Sequence, residues 1–518
     1  MGIFNKTPSD KNDPASNNET SLDQTLYKIP KIDTEITWAD SVEGTLILGS
    51  TGSGKSSGPG RHIALSMLKS GFGFCILCAK PDEKDHWVKY AQETNRETDL
   101  VIFNKESGLK FNFLKYEMER KGEGAGESLN MINALMSLNE QNKVYQSGGE
   151  GKGEKFWDNS LRRLIGRSIS ILRLSNEEIS IKNMRQVVSN CFQHDEPKIY
   201  YHLKNLIANE ETDPVARHRA KDELDLWIKS NYFLSLIDRI GEKEFDNTAD
   251  HEEASIVTDY WIKEFPKISD RTTSIIVESF MGIIEPFINK GILKEQFSSG
   301  LSEELWPESI FTKNKIVIID FPVKEFGLAG IYAATIFKTA FQGAAERRNI
   351  KTENDPKPVG LWIDEYQSFC SPITDSLFQV TARSSWVATV YITQNINNLF
   401  FVMGHNQPVA RAKSLLGNLN LKYFASNSDI ETNNWASNMI GQHLTEMQNI
   451  SIGHNREISK SKNQQMQFRI TPDHFTTLKT GRKANKFIVE AIIFKSGKLW
   501  GRDKENYALV EFDQRDKN

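Results

Sequence analysis

The chain has 518 residues, and 64 Lys and Arg stand against 68 Asp and Glu. The resulting net charge of -4 excludes a global basic field for nucleic acid, so any DNA contact is left to a local patch or to a pore lining built by assembly. The length asks for two or more domains, and four cysteines exclude a disulfide framework.

The opening segment "MGIFNKTPSDKNDPASNNETSLDQT" is polar and has no apolar signal core, so residues 1–26 read as a disordered tail. Lys6 stands where an N-myristoylation start wants Ser or Thr, which rejects that reading. Short apolar runs follow: "TLILG" (45–49), "GFGFCILCA" (71–79), "DLVIF" (99–103), "KIVIIDF" (315–321), "VGLWIDE" (359–365), "VATVYITQ" (387–394) and "KYFASN" (422–427). Runs of this kind suit strands buried on both faces, with helical patterns such as "RHIALSMLKSG" between them. The expected fold is α/β and doubly wound, with a mainly parallel sheet. Cys75 and Cys78 form a C-x-x-C in the second run, with no second Cys/His pair at ligand spacing, and read as buried strand thiols.

From about 120 to 310 the strand signal vanishes, and amphipathic helices such as "FWDNSLRRLIGRSISILRL" and "AKDELDLWIKSNYFLSLIDRI" follow one another. The loop "QSGGEGKGEKF" interrupts them. The expected plan is a first part of the nucleotide-binding domain at 27–120, an all-α insertion within 121–310 and a second part at 311–505. That second part ends in a hairpin at "KFIVEAIIFKSGKLWGRD" with its turn near Ser496-Gly497, and a tail at 506–518 follows. Glu278, Glu285 and Lys338 break the longest apolar stretches, so no transmembrane span is read.

The stretch "GSTGSGKSSG" gives the full Gly-x-x-x-x-Gly-Lys-Ser pattern of a phosphate loop, behind a strand and before a helix. Residues Gly49, Ser50, Thr51, Gly52, Ser53, Gly54, Lys55, Ser56 and Ser57 are therefore the candidate nucleotide-binding set. Glycines let backbone N–H groups face phosphate oxygens, Lys55 reaches the β- and γ-phosphates of ATP, and the Ser56 hydroxyl ligates Mg²⁺. Pro59 and Gly60 fall in the first turns of the next helix, which predicts an irregular start.

A second acidic element is needed for the metal shell, and Asp364-Glu365 supplies it at the end of "VGLWI", about 309 positions beyond Lys55. Asp364 is assigned to the metal shell and Glu365 to orienting and deprotonating the attacking water. Asp320, also at a strand end, is a weaker alternative because no second acid follows it. Gln394 would stand beside the γ-phosphate if its strand lies between the other two. Arg383 is either a finger that reaches a neighbouring subunit's nucleotide or a surface ion pair.

Three stretches resemble the TraG/TraD coupling proteins of type IV secretion, within the FtsK–HerA superfamily of RecA-like motors. They are the phosphate loop followed by "AKPDEKDHW", the segment "KFWDNSLRRLI", and the run from "LWIDEYQSF" to "NWASNMIG". The last contains the acid pair, an Arg-bearing helix with Arg383, the Gln394 strand, Asn397-Asn398-Leu399, Asn418 before a strand, and Asp429 with Thr432. Ala79 replaces the family's first loop Asp, Asp82 stands at its Gly, and Asn398 at its second Gln.

The resemblance implies a RecA-like ATPase that forms a homohexamer with ATP and Mg²⁺ between subunits. DNA, single-stranded or relaxase-bound, would pass through the centre, and the helical insertion would cap the ring. It also implies type IV secretion or mobilisation proteins as partners. Family members usually carry N-terminal membrane helices, so a cytoplasmic chain without one is expected to reach the inner membrane through a separate membrane-anchor protein. Two other functions fit the same residues: a soluble HerA-like DNA pump working with a separate nuclease in a defence complex, and an ATP-switched receptor for protein substrates. The segments "RHRAKDELDLWIKSNYF" and "SKSKNQQMQFRI" read as pore or phosphate contacts or as solvated faces.

Overall fold

The structure, a computed structural model, describes residues 22–29, 32–146, 154–245, 247–372, 374–404, 407–452 and 458–515. Most of the tail read at 1–26, and the Gly-rich centre of the 146–156 loop, lie outside these residues. In chain order the strands are β1 (Thr25–Lys28), β2 (Glu35–Thr37), β3 (Thr45–Leu48), β4 (Gly73–Leu77), β5 (Leu100–Phe103) and β6 (Ile316–Ile319). They continue with β7 (Val359–Ile363), β8 (Val387–Thr393), β9 (Leu421–Ala425), β10 (Gln442–Ile452), β11 (Ile458–Phe468), β12 (Ile488–Lys495) and β13 (Tyr507–Asp513).

Nine of them build one sheet in the order β13-β12-β9-β3-β8-β7-β4-β6-β5. From β9 to β5 every pair is parallel, and β12 runs antiparallel to both β9 and β13. The fold is α/β with a mainly parallel sheet, as the apolar runs predict. The alternation of side chains explains why those runs are continuously apolar: Leu46 and Leu48 enter one core layer and Ile47 the other, while Cys75 and Leu77 oppose Phe74 and Ile76. Helix Leu328–Glu346 covers the first face, and helices Arg61–Lys69 and Glu83–Glu93 cover the second. Cys75 and Cys78 are buried free thiols, and burial raises both above the usual thiol range.

Between β5 and β6 the described residues form helices and turns with no strand. The core of these helices is continuous with the first face of the sheet. One expected helix is two. Asn231 ends Pro214–Ser230 and caps Tyr232–Glu242, its side chain accepting from the Leu234 N–H at 2.9 Å.

Two boundaries differ from the sequence reading. Residues 506–518 are not a tail, because Tyr507–Asp513 form the edge strand β13, with Val510 and Phe512 in the core. The partner of β12 is therefore β13 and not the segment directly after Ser496-Gly497. Gly497 does turn the chain, at φ 76°, but Trp500 is buried and Lys498 bonds Asp40, so the next residues become an anchored loop. The start of β1 at Thr25 also reclaims the last residues assigned to the N-terminal tail. The hairpin β10–β11 stands apart from the sheet, and its polar sequence gave no apolar alternation to read.

Candidate nucleotide site

The parallel topology brings the ends of β3, β8 and β7 side by side, with β8 in the middle. Loops leaving the carboxyl ends of parallel strands are where such sheets bind ligands.

At β3 the chain enters the phosphate loop. Gly54 has φ 83°, and a Cβ there would stand 2.5 Å from Val489 Cγ2, so both backbone and packing demand glycine. The Ser50 N–H donates to the Ser426 carbonyl at 2.9 Å and the Ser50 hydroxyl to Asn427 Oδ1 at 3.2 Å, which ties the loop to the end of β9. Thr51 and Ser57 are exposed, and Ser53 is buried beneath the loop.

The predicted irregular helix start is a π-helical turn over Ser56–Gly60. Its cause is local. In a regular helix residue 59 would donate to the Lys55 carbonyl, but Pro59 has no N–H, and the Gly60 N–H takes that carbonyl at 2.9 Å instead. Regular helix resumes at Arg61.

Across the sheet the Ser56 hydroxyl donates to Asp364 Oδ2 at 2.6 Å. The other Asp364 oxygen accepts from the Glu365 N–H at 2.8 Å. Glu365 has φ 52°, a left-handed conformation that costs a non-glycine residue about 1 kcal/mol or more. Its carboxylate is held on both sides. Lys80 Nζ bonds Oε1 at 2.5 Å, while Gln367 Nε2 at 2.7 Å and Gln394 Nε2 at 3.4 Å bond Oε2. Burial pushes the Glu365 carboxyl up, but the hydrogen bonds from Lys80 and Gln367 and the charges of Lys80 and Lys55 outweigh it, so it lies below the usual range. Lys55 itself is buried.

Gln394 is fixed through its backbone: its carbonyl accepts from Asn427 Nδ2 at 2.9 Å. Asp429 accepts from the Thr432 hydroxyl at 2.6 Å and from Asn397 Nδ2 at 3.1 Å, and the Ile396 N–H donates to Thr432 Oγ1 at 3.1 Å. Asn398 N–H donates to Asn395 and Leu399 is buried beside them. The Asn427, Asp429, Thr432 and Asn397 side chains clamp the carboxyl ends of β8 and β9 together behind the phosphate loop, whereas Asn418 ends helix Pro408–Asn418 at the opposite end of β9.

Asp320 is not part of this group; Asn104 bonds it at 3.4 Å and Lys84 pairs with it at 3.4 Å, beyond β4. Arg383 also lies elsewhere. The helix expected to bear it, Thr374–Thr381, ends first, and Arg383 sits in the turn entering β8, 67% exposed and 3.7 Å from Glu43. The length of β8 separates it from Gln394 by roughly 20 Å.

Three residues of the site escaped the sequence reading. Lys80 comes from the turn after β4, Glu83 from the first position of helix Glu83–Glu93, and Arg482 from the turn before β12. The Ala79 N–H donates to Glu83 at 2.8 Å; burial, then the Asp364 charge, push the Glu83 carboxyl up to about 9, so it is protonated at neutral pH. A Cβ on Gly52 would stand 3.2 Å from Arg482 Nη2, which puts that guanidinium against the phosphate loop. The "AKPDEKDHW" segment was the one available signal for the first two.

Among the described residues no group of three His, Cys, Asp or Glu could hold a metal ion. Mg²⁺ in phosphate sites asks for less: one or two protein oxygens, waters and phosphate oxygens. Ser56 with Asp364 fits that demand.

Residues 358–480 match a family model described as the TraM recognition site of TraD and TraG. The TraG/TraD likeness read from the motifs is borne out. Solved structures agree in fold. The bacterial conjugative coupling protein TrwBdeltaN70 in an unbound form superposes with a TM-score of 0.56 at 14% identity, over 96% of this chain and 90% of that one. The plasmid coupling protein TrwB with the non-hydrolysable GTP analogue GDPNP gives 0.55 at 13% identity, over 96% and 91%. The same protein with ADP and Mg²⁺ gives 0.54 at 14% identity, over 96% and 90%. At this identity the likeness speaks for the fold alone, which the chain shares with these structures. No curated protein matches the chain. Among the described residues no helix is long and apolar enough to cross a membrane.

Proposed function

We propose that this chain is an ATP-hydrolysing motor that recruits DNA or a relaxase–DNA complex for conjugative transfer through type IV secretion. The observation that carries the reading is the 2.6 Å link from Ser56 to Asp364, with Lys55 on one side and Glu365 and Gln394 on the other. Lys55 would bind the β- and γ-phosphates and Ser56 with Asp364 would hold Mg²⁺. Glu365, with Gln394 beside it, would orient and deprotonate the attacking water. The nucleotide and Mg²⁺ bound by TrwB in the matching structures support this ligand choice.

The working form is a homohexamer with nucleotide between subunits and DNA in its centre, capped by the helical insertion. The position of Arg383 supports that arrangement. Too distant to serve its own nucleotide and paired with Glu43 at 3.7 Å within the subunit, it would leave that ion pair to serve a neighbour's. The match of 358–480 to a TraM recognition site supports docking of relaxosome or mobilisation proteins.

The test is ATP turnover by purified protein with and without single- and double-stranded DNA. The expected result is DNA-stimulated hydrolysis that Glu365→Gln lowers at least about 100-fold while nucleotide binding is retained. Turnover by Glu365→Gln at the wild-type rate would remove the residue from catalysis, and nucleotide binding without any turnover would favour the switched receptor.

A further inference from the structure

We infer that Lys80 is a positioning residue for Glu365, holding the carboxylate that faces the nucleotide site; the inference rests on the hydrolytic reading above.

Glu365 sits in a left-handed turn that crowds its Cβ but does not by itself fix the carboxylate at the end of its side chain. Its orientation must come from partners, and these divide the two oxygens between them. Gln367 and Gln394 reach Oε2 from one side of the β7–β8 pair. Gln367 is itself fixed, its Oε1 accepting from the Thr393 hydroxyl at 2.7 Å. Among the described residues Oε1 has one hydrogen-bond partner, Lys80, at 2.5 Å. Lys80 comes from the end of β4, on the other side of β7. Removing it leaves the carboxylate held through Oε2 alone and able to pivot about that oxygen.

Lys80 makes no hydrogen bond to Asp364 or Ser56. Burial pushes its ammonium down, but the Glu365 hydrogen bond and then the charge of Asp364, its tie to the metal shell, outweigh that and raise it. It also remains one-third exposed, with its side chain at 34%, and so contributes little to the core. A structural role and a positioning role therefore part company in kinetics. A positioning residue changes the chemical step while leaving nucleotide affinity in place.

The experiment compares wild type, Lys80→Ala, Lys80→Arg, Glu365→Gln and the double variant Lys80→Ala with Glu365→Gln, each in the full chain with DNA present. It reads kcat and KM for ATP, with affinity for a non-hydrolysable ATP analogue alongside. Lys80→Ala is expected to lower kcat 10- to 100-fold with analogue affinity changed less than threefold. Lys80→Arg should recover most of the rate, and the double variant should turn over no more slowly than Glu365→Gln alone. Wild-type kcat in Lys80→Ala, loss of analogue binding in that variant, or a further drop in the double variant would overturn the inference. If wild type turns over and Glu365→Gln does not, the hydrolytic reading survives such a failure. Absence of turnover in wild type would overturn both.

Discussion

The turn that carries Glu365 is fastened by a buried ion pair, and cutting that pair is a quantitative test of how the site is held. Lys338, from the long helix on the first face of the sheet, and Asp375 are both fully buried, with Nζ and Oδ2 2.8 Å apart. Lys338 also donates to the Phe369 carbonyl at 2.6 Å and to the Ser371 hydroxyl at 3.1 Å. Asp375 accepts in addition from the Tyr366 hydroxyl at 2.9 Å, Gln342 Nε2 at 2.9 Å and the Ser371 N–H at 2.8 Å. Tyr366 follows Glu365 directly, and its ring stacks on Tyr391 of β8 at 4.0 Å.

Lys338→Met keeps most of the stem volume and removes the charge. At an effective dielectric of about 20 the attraction at this distance is about 6 kcal/mol. The three donors left on Asp375 offset part of its loss, so we expect a cost of about 3–5 kcal/mol, the range for breaking a buried pair. The double variant Lys338→Met with Asp375→Asn leaves no buried charge and should recover about 2 kcal/mol of that. Urea denaturation followed by tryptophan fluorescence reads both. A cost below about 1 kcal/mol for Lys338→Met, or strictly additive single effects, would refute the reasoning.

Further outcomes follow from the site geometry. Lys55→Ala removes a buried cation aimed at phosphate, and isothermal titration should read at least about a 100-fold loss of ATP-analogue affinity; unchanged affinity would contradict its role. Arg383→Ala subunits should regain turnover when mixed with Glu365→Gln subunits, because each supplies what the other lacks across an interface; mixtures that stay inactive at every ratio argue against action in trans. Arg482→Ala should raise KM for ATP about tenfold with kcat nearly unchanged, the signature of lost uniform binding; a fall in kcat alone would place that guanidinium elsewhere in the cycle.

Much of this molecule could be read from its sequence, for reasons that differ by element. β3, β4, β6, β7 and β8 are buried on both faces, so their apolar runs need no alternation to be recognised. The phosphate loop and Asp364-Glu365 carry their chemistry in consecutive residues. β13 was lost because an edge strand with one buried face mixes Val510 and Phe512 with exposed Leu509 and half-buried Glu511, and its short pattern lies near the chain end. β10 and β11 gave no signal because they pair with each other and leave the main sheet, so nothing obliges either face to be apolar. Lys80 and Arg482 were missed for another reason. Each lies against a residue distant in the chain, Lys80 bonded to Glu365 and Arg482 beside Gly52, and no local spacing encodes such a neighbour.

The central claim is that the ends of β3 and β7, with β8 between them, grip one magnesium nucleotide. The most direct measurement is a crystal structure of the full chain with a non-hydrolysable ATP analogue and Mn²⁺ in place of Mg²⁺, the ion located by its anomalous signal. The account predicts a metal bound by the Ser56 hydroxyl, with Asp364 in contact with it or with one of its waters and the triphosphate along Gly49–Ser57. An ion outside this pair, or a nucleotide seated away from the phosphate loop, would contradict it.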